Sequence, residues 1–301
     1  METYLKKTTK EKVMFLFDAL NIQENLDASG NQKPMLATDW KKIKKIEYPV
    51  YVQPKLDGVR CLMIVSCTNQ MGVTSSVQYL SRSGKSYGTL NHITASCDFP
   101  EGDYILDGEL YSDKLSFQRI VAATKKQTAD SLLLQFRCYD VVSTKTQAER
   151  ISEYQQLVKD LNSPFVTAVE THLVTSQDMV QSLHDKWVQE GYEGAMIRVP
   201  NGRYIGARSR ELLKVKEFDE TEYYFQKFEK GQRDEDLIAV CKTSIFEDAK
   251  EFRAKMIGTV EEKEVLFTSN KQKDSLITIK HFGKTEDGLP RFPIGKAFRD
   301  E

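Results

Sequence analysis

Short apolar, β-favouring runs alternate with polar turns through the middle of this chain, and amphipathic helical stretches fall between them. Tyr48-Pro49-Val50-Tyr51-Val52 and Cys61-Leu62-Met63-Ile64-Val65 are two such runs, on either side of the hexamer Lys55-Leu56-Asp57-Gly58-Val59-Arg60. The Asp-Gly pair predicts a tight turn between two buried strands. Leu132 to Val142 is strand-like, and Ser116 to Ala123 predicts a helix with Ser116 as its N-cap. Ile151, Tyr154, Leu157, Val158 and Leu161 fall at helical spacing within Gln147 to Leu161. Met179, Val180, Leu183 and Trp187 do the same within Ser176 to Gln189, with Ser176 as the cap. The alternation predicts an α+β fold with antiparallel sheets. Upstream, Phe15, Leu16, Phe17, Leu20 and Ile22 form an imperfect apolar face and predict a helical extension over residues 1–33. Downstream, Asp219, Glu220 and Glu222 mark a boundary after Phe218. Beyond it, Tyr223–Phe228, Leu237–Cys241, Ile257–Val260, Val265–Thr268 and Leu276–His281 predict five short strands, the scale of a small β-barrel. Phe246 to Met256 reads as a helix interrupting that barrel. Three segments result: 1–33, 34–218 and 219–301.

Composition narrows the classes. With 301 residues, 40% apolar and 29% charged, the chain has the make-up of an ordinary globular protein of one or two domains. No apolar run approaches the ~20 residues that span a bilayer. Met1-Glu2-Thr3-Tyr4-Leu5-Lys6-Lys7 has no apolar signal core, so an intracellular location is expected. Cys61, Cys67, Cys97, Cys138 and Cys241 are odd in number and scattered, which argues against a disulfide framework and against a zinc ribbon. Net charge is −1, with 15 Lys+Arg against 18 Asp+Glu in residues 219–301 and 28 against 26 before them. Any affinity for nucleic acid therefore depends on local clusters, of which Lys41-Lys42-Ile43-Lys44-Lys45 is a candidate.

The hexamer at 55–60 carries the most chemistry. Desolvation at a turn between buried strands favours the neutral, nucleophilic form of a lysine, and Asp57 and Arg60 are near enough to bind other parts of a phosphate-bearing substrate. Five further segments follow in order: Ser81-Arg82-Ser83-Gly84, Leu106-Asp107-Gly108-Glu109-Leu110, Tyr139-Asp140-Val141, Glu193-Gly194-Ala195-Met196-Ile197-Arg198 and Leu213-Lys214-Val215-Lys216. With Lys55-x-Asp57-Gly58-x-Arg60 they resemble the six-motif series of the covalent nucleotidyltransferases: DNA ligases, RNA ligases and mRNA capping enzymes. Lys33-Pro34-Met35-Leu36-Ala37 resembles the segment ahead of the nucleophile in ATP-dependent DNA ligases, and Leu289-Pro290-Arg291-Phe292-Pro293 resembles the Pro-Arg-Phe-Pro element that closes their OB domain. The resemblance covers about residues 34–299 and points to a compact ligase of viral or bacterial accessory type.

That resemblance implies an adenylation domain over 34–218 and an OB-fold domain over 219–301. It implies Lys55 as the nucleophile that attacks the α-phosphorus of ATP, expels pyrophosphate and holds AMP. A lysine at the reference pKa of about 10.4 is under ~0.1% neutral at pH 7, so the site must activate it. Arg60 and Arg82 are implied as phosphate and ribose binders, their planar forks suiting phosphate oxygens; in the family the arginine matching Arg82 reads the 5′-phosphate of the nick. Glu109 is implied as a ribose or metal ligand, and Tyr139 as the ring stacked on the purine, with Phe136 a competing candidate. Glu193 is implied as the main Mg²⁺ ligand, assisted by Asp57 and Glu109, with Mn²⁺ as an alternative ion. Lys214 and Lys216 lie two apart on one strand and so share a face, from which both can reach the α-phosphate while Val215 packs inward. Arg291 is implied as the pyrophosphate ligand, ahead of Lys296 and Arg299, because the usual Arg-x-Asp-Lys ending is not intact. The expected partner is nicked duplex DNA, and the expected state is a monomer whose OB domain swings about a hinge near 217–222, working where cellular or viral DNA is replicated. An RNA ligase, a GTP-dependent capping enzyme and an inactive nucleic-acid-binding relative remain as alternatives. A zinc module accompanies many NAD-dependent ligases, so its absence favours ATP.

Overall fold

The computed structural model of the chain describes residues 33–68, 74–216, 218–233, 235–269 and 271–298. The helical extension expected over 1–33 lies outside the described residues except for Lys33. The chain divides into two compact units, Met1–Lys216 and Glu217–Glu301.

In the first unit the strands, in chain order, are β1 (Leu36–Asp39), β2 (Val50–Pro54), β3 (Val59–Thr68), β4 (Thr74–Ser81), β5 (Gly102–Tyr111), β6 (Gln135–Val141), β7 (Val166–Ala168), β8 (His172–Val174), β9 (Ala195–Arg198) and β10 (Arg208–Val215). The helices are α1 (Asn91–Ala95), α2 (Phe117–Lys125), α3 (Gln147–Asp160) and α4 (Gln177–Gln189). The strands form two five-stranded sheets, ordered β1-β10-β9-β2-β8 and β4-β3-β5-β6-β7. Strand β3 explains why its sequence is almost continuously apolar. Cys61, Met63, Val65 and Cys67 join the core beneath α1, α2 and α3. Leu62 and Ile64 face the other way, where they meet Met35, Ile105 and Leu212 between the sheets. A strand buried on both faces loses the polar alternation of a half-exposed one. On the outer face of the first sheet, Val180 and Trp187 of α4 cover Val50, Val52, Ala195, Ile197, Leu213 and Val215.

Capping fixes where the helices start. Ser116 accepts from Arg119 N and Ser176 from Met179 N, while Thr146 and Glu149 form a reciprocal capping box at α3. The architecture is mixed α and β, as the pattern predicts. The expectation of antiparallel sheets needs a correction at two pairings: β1 runs parallel to β10, and β6 runs parallel to β7. The β6–β7 connection contains the whole of α3, and a crossover of that length is what parallel neighbours require.

The second unit contains β11 (Asp219–Lys230), β12 (Leu237–Lys242), β13 (Glu251–Met256), α5 (Val260–Thr268), β14 (Leu276–His281) and β15 (Ile294–Phe298). Each strand pairs with two others, closing the ring β11-β12-β13-β15-β14 around Tyr223, Phe225, Ala239, Phe252, Met256 and Ile277. Two local expectations are overturned here. Residues 246–256 are not a helix; after a turn, Glu251–Met256 is a strand that buries Phe252, Ala254 and Met256 and exposes the residues between them. That period of two won over helix-favouring composition. Conversely, Ile257–Val260 and Val265–Thr268 are not strands. Thr259 accepts from Glu262 N and Glu262 bonds back to Thr259 N, and this capping box starts α5.

Candidate active site

The Lys55 backbone continues the ladder between β2 and β9. Pro54 pairs with Ala195, then Lys55 N donates to Gly194 O at 2.8 Å and Glu193 N donates to Lys55 O at 2.8 Å. The two candidate residues are thereby locked opposite each other. Lys55 Nζ pairs with Glu193 Oε2, and Lys216 Nζ holds Glu193 Oε1 at 3.0 Å. Gly194 makes the approach possible. Its φ is +134°, and a Cβ there would lie 2.4 Å from Val215 O. Lys214 lies opposite Met196 on β9. Its pKa is pushed down by burial and then by Lys216, with Arg208 and Lys55 adding to the effect. Lys55 and Lys216 thus share one carboxylate with Lys214 close enough to feel both charges, and a cluster with that excess of cations favours an anion. Val215, between the two later lysines, is buried in the core under α4.

Beside this cluster a cavity of about 240 Å³ opens between the sheets, with Lys55, Arg60, Arg82, Glu109, Tyr139 and Arg198 among its lining. Register places Arg60 opposite Glu109 on β5. Gly58 lets the turn close on that strand, since a Cβ there would meet Leu110 O at 2.4 Å. Arg60 grips both oxygens of Asp107 through Nε and Nη2. Tyr204, buried in the β9–β10 loop, donates its hydroxyl to Asp107 Oδ2 at 2.7 Å and accepts from Met35 N at 3.3 Å. Burial drives the Glu109 pKa up to about 7, against the opposing pull of Arg60 and Lys55. Its carboxylate accepts from the Tyr139 hydroxyl at 3.1 Å.

The Tyr139 ring is delivered by an irregularity in β6. Asp107 pairs with Asp140 and Gly108 with Cys138, leaving Tyr139 as the extra residue. Such a bulge turns two successive side chains to one face. Tyr139 reaches Glu109, and Asp140 accepts from Arg198 Nη1 at 2.6 Å, while Cys138 and Val141 both point into the opposite core. Two guanidinium groups lie near the ring, with Arg60 Cζ at 5.1 Å and Arg198 Cζ at 5.4 Å from its centroid. Behind it, Asp140 also accepts from Arg150 Nε at 2.8 Å, and Gln53 accepts from Arg198 Nε at 2.5 Å. Arg198 and Arg150 outweigh burial and lower the Asp140 pKa. A buried charge group is stable only when paired this fully.

The structure brings Lys55, Arg60, Arg82, Glu109, Tyr139, Glu193, Lys214 and Lys216 into one region of the first unit. Arg82 is exposed on a hairpin turn at the cavity edge, closed by Gly84 N donating to Ser81 O at 2.9 Å. Asp57 is half-buried in its turn and is not among the residues lining the cavity. Phe136 is buried in the core on the far side of β6, so Tyr139 is the ring presented to the cavity. Among the described residues no three carboxylate, histidine or cysteine groups converge as a ready metal cage. Arg291 and Lys296 belong to the second unit. There Arg291 N donates to Gly283 O at 3.1 Å and Lys296 pairs with Glu220 at 2.8 Å. Arg299 lies outside the described residues. Asp107, Tyr204, Gln53 and Arg150 were not assigned roles from sequence. Asp107 stands inside a recognised segment, but the others carry no local signal, because their importance lies in partners distant in the chain.

Residues 34–216 match the family described as ATP dependent DNA ligase domain, and the chain belongs to that family. It is 29% identical over 241 residues to a DNA ligase of African swine fever virus (isolate Warthog/Namibia/Wart80/1980), covering 74% of this chain and 56% of that protein. It therefore spans little more than half the length of this viral relative. It is 27% identical over 250 residues to a DNA ligase of Haemophilus influenzae, covering 79% of this chain and 82% of the relative. A solved structure described as "DNA binding with a minimal scaffold: Structure-function analysis of Lig E DNA ligases" shares the fold. Its TM-score is 0.73 at 19% identity, covering 89% of this chain and all of that one. Among the described residues no helix is long and apolar enough to cross a membrane.

Proposed function

We propose that the chain is an ATP-dependent DNA ligase that seals 5′-phosphate/3′-hydroxyl nicks in duplex DNA. The observation that carries this reading is Lys55 held on Glu193 beside Lys216, at the edge of a cavity lined by Arg60, Glu109 and Tyr139. In the first step the Lys55 Nζ lone pair forms a bond to the α-phosphorus of ATP. The bond from that phosphorus to the bridging oxygen breaks, pyrophosphate leaves, and Nζ gives up a proton. Lys55 must exchange its ion pair with Glu193 before it attacks, while Lys214 and Lys216 offset charge on the α-phosphate. AMP then passes to the 5′-phosphate of the nick, and the 3′-hydroxyl displaces it to form the phosphodiester. Tyr139 is assigned to the purine, Glu109 to the ribose, Arg60 and Arg82 to ribose and phosphate. Glu193 offers the hard oxygen donors that Mg²⁺ or Mn²⁺ prefers, with Asp57 and Glu109 as further candidate ligands. Such an ion, when bound, neutralises charge at the α-phosphate. We assign residues 34–218 as the adenylation domain and 219–301, from the closed five-strand ring, as an OB-fold domain whose Arg291 binds pyrophosphate.

The test is to offer α-labelled ATP or GTP and then a chase of nicked duplex DNA or nicked duplex RNA. Label from ATP that is discharged with sealing of the DNA nick supports the reading. Label from GTP alone would move the chain to the capping enzymes, and discharge by RNA nicks alone to the RNA ligases.

A further inference from the structure

Tyr111 and Tyr192 have no part in the site above, yet each stands beside one of its carboxylates. Tyr192 directly precedes Glu193, and its N–H donates to Trp187 O at 2.9 Å at the end of α4. Tyr111 closes β5 two residues beyond Glu109, so both side chains leave the strand on one face. The two rings stack across the gap between the sheets, with centroids 6.4 Å apart and planes 27° from parallel. Tyr192 packs against the core under α4, and Tyr111 against the separate core beneath α1, α2 and α3. Arg137 Cζ lies 5.9 Å from the Tyr111 centroid, and Arg137 Nη2 donates to Asp113 Oδ2 at 3.2 Å.

The place of this contact matters because the two sheets are also tied at another level along β5. There Asp140 accepts from Arg198, Tyr204 donates to Asp107, and the Gln53 amide donates to Tyr139 O at 3.3 Å. Further along still lies the apolar layer of Leu62, Ile64 and Ile105. Asp107 and Tyr111 are four residues apart, about 13 Å along an extended strand. Glu109 lies midway between them and lines the cavity. One tie is therefore a buried network of charges, and the other is a pair of half-buried rings. The geometry of Lys55 against Glu193 is set separately, by the β2–β9 ladder. What the ring pair governs is the distance from that ladder to Glu109 on the facing wall.

We infer that Tyr111 and Tyr192 are positioning residues whose stacked rings set the width of the nucleotide cleft between Glu109 and the Lys55–Glu193 pair, an inference that rests on the ligase reading above. An aromatic pair suits this task because its attraction has a preferred distance and tilt, and so resists both opening and closing. Neither tyrosine is among the residues lining the cavity, so both act through Glu109 and Glu193 rather than on the nucleotide. Removing either ring leaves the Lys55 ladder in place but releases the Glu109 wall. The nucleotide then loses contacts that it makes equally before and during AMP transfer. Such a loss weakens binding more than it slows the bond-forming step.

The test uses the full chain with Tyr192→Leu, Tyr111→Leu, the two combined, and Tyr192→Phe, which keeps the ring. Each is measured in single-turnover AMP transfer to Lys55 over a series of ATP concentrations, with Tm recorded alongside. Each leucine variant should raise the half-saturating ATP concentration roughly three- to tenfold, with a limiting rate within about twofold of wild type. The combined variant should be no worse than the weaker single one, because the same contact is lost in each. Tyr192→Phe should restore wild-type half-saturation. Val158→Ala opens the core under α3 at a residue that does not line the cavity, and it should lower Tm without moving half-saturation. Unchanged half-saturation in the leucine variants overturns the inference, as do additive effects in the combined variant or an equal rise in Val158→Ala. Should a leucine variant fail to fold, Tyr192→Met at the same half-buried position is read in its place by the same criterion. Failure of the wild-type chain to label would instead sink the ligase reading.

Discussion

Burial raises the Glu109 pKa to about 7 from an ordinary 4.5, although Arg60 and Lys55 pull it down. Between those values the folded chain holds a proton that the unfolded chain has lost. Stability therefore falls as pH rises through that window, and the full cost of the ionised carboxylate is present above it. Glu109→Gln removes that cost, so its gain in Tm over wild type should be larger at pH 8 than at pH 5. An equal gain at both pH values in thermal unfolding would contradict the burial account. Tyr204 makes a second argument at this scale. Its hydroxyl links Met35 N to Asp107, and Asp107 holds Arg60. Tyr204→Phe should cost about 1–2 kcal/mol of stability and raise KM for ATP several-fold with a smaller change in kcat. An unchanged KM in steady-state kinetics would show that Tyr204 does not position Arg60 for substrate.

At the scale of elements, two turns and a bulge assemble the site. Gly194 lets β9 lie against Val215 O so that Glu193 meets both Lys55 and Lys216. Gly194→Ala combines a positive φ with a backbone clash, and it should abolish AMP transfer even at temperatures where circular dichroism still reports folded protein. Helix α5 depends on its capping box, so Thr259→Ala should cost about 1 kcal/mol, read as a lowered urea midpoint. Much of this was legible in the chain. Lys55, Glu193 and Lys216 stood in recognisable segments, and Ser116 and Ser176 announced their helices. The bulge at Tyr139 was not legible, because it is defined by which residues of β5 face β6, and pairing is a long-range choice. Strand β13 was missed because Glu251–Met256 contains good helix formers, and only the barrel core selects its period of two. The Asp140–Arg150–Arg198 group was missed for a similar reason. Asp140 and Arg198 stand in recognised segments, but nothing in those segments pairs them with each other or with Arg150 until the fold buries the three together.

Over the whole molecule, a net charge of −1 gives no general attraction to DNA. On the proposed ligase reading, binding to DNA must come from local clusters of cations, and it should weaken steeply with salt. The whole chain is also where the three chemical steps separate. On the proposed ligase reading Lys55 is the nucleophile of the first step and the leaving group of the second, and takes no covalent part in the third. Lys55→Ala should therefore fail to seal an ordinary nick with ATP but still seal a nick that already carries a 5′-adenylate. Equal failure on both substrates would mean that Lys55 does more than carry AMP. The most direct test of the central claim is intact mass spectrometry of the purified chain after incubation with ATP, with peptide mapping and a chase of nicked duplex DNA. The account predicts one AMP adduct, mapped to Lys55, that disappears as the nick is joined. An adduct on another residue, or none at all, would contradict it.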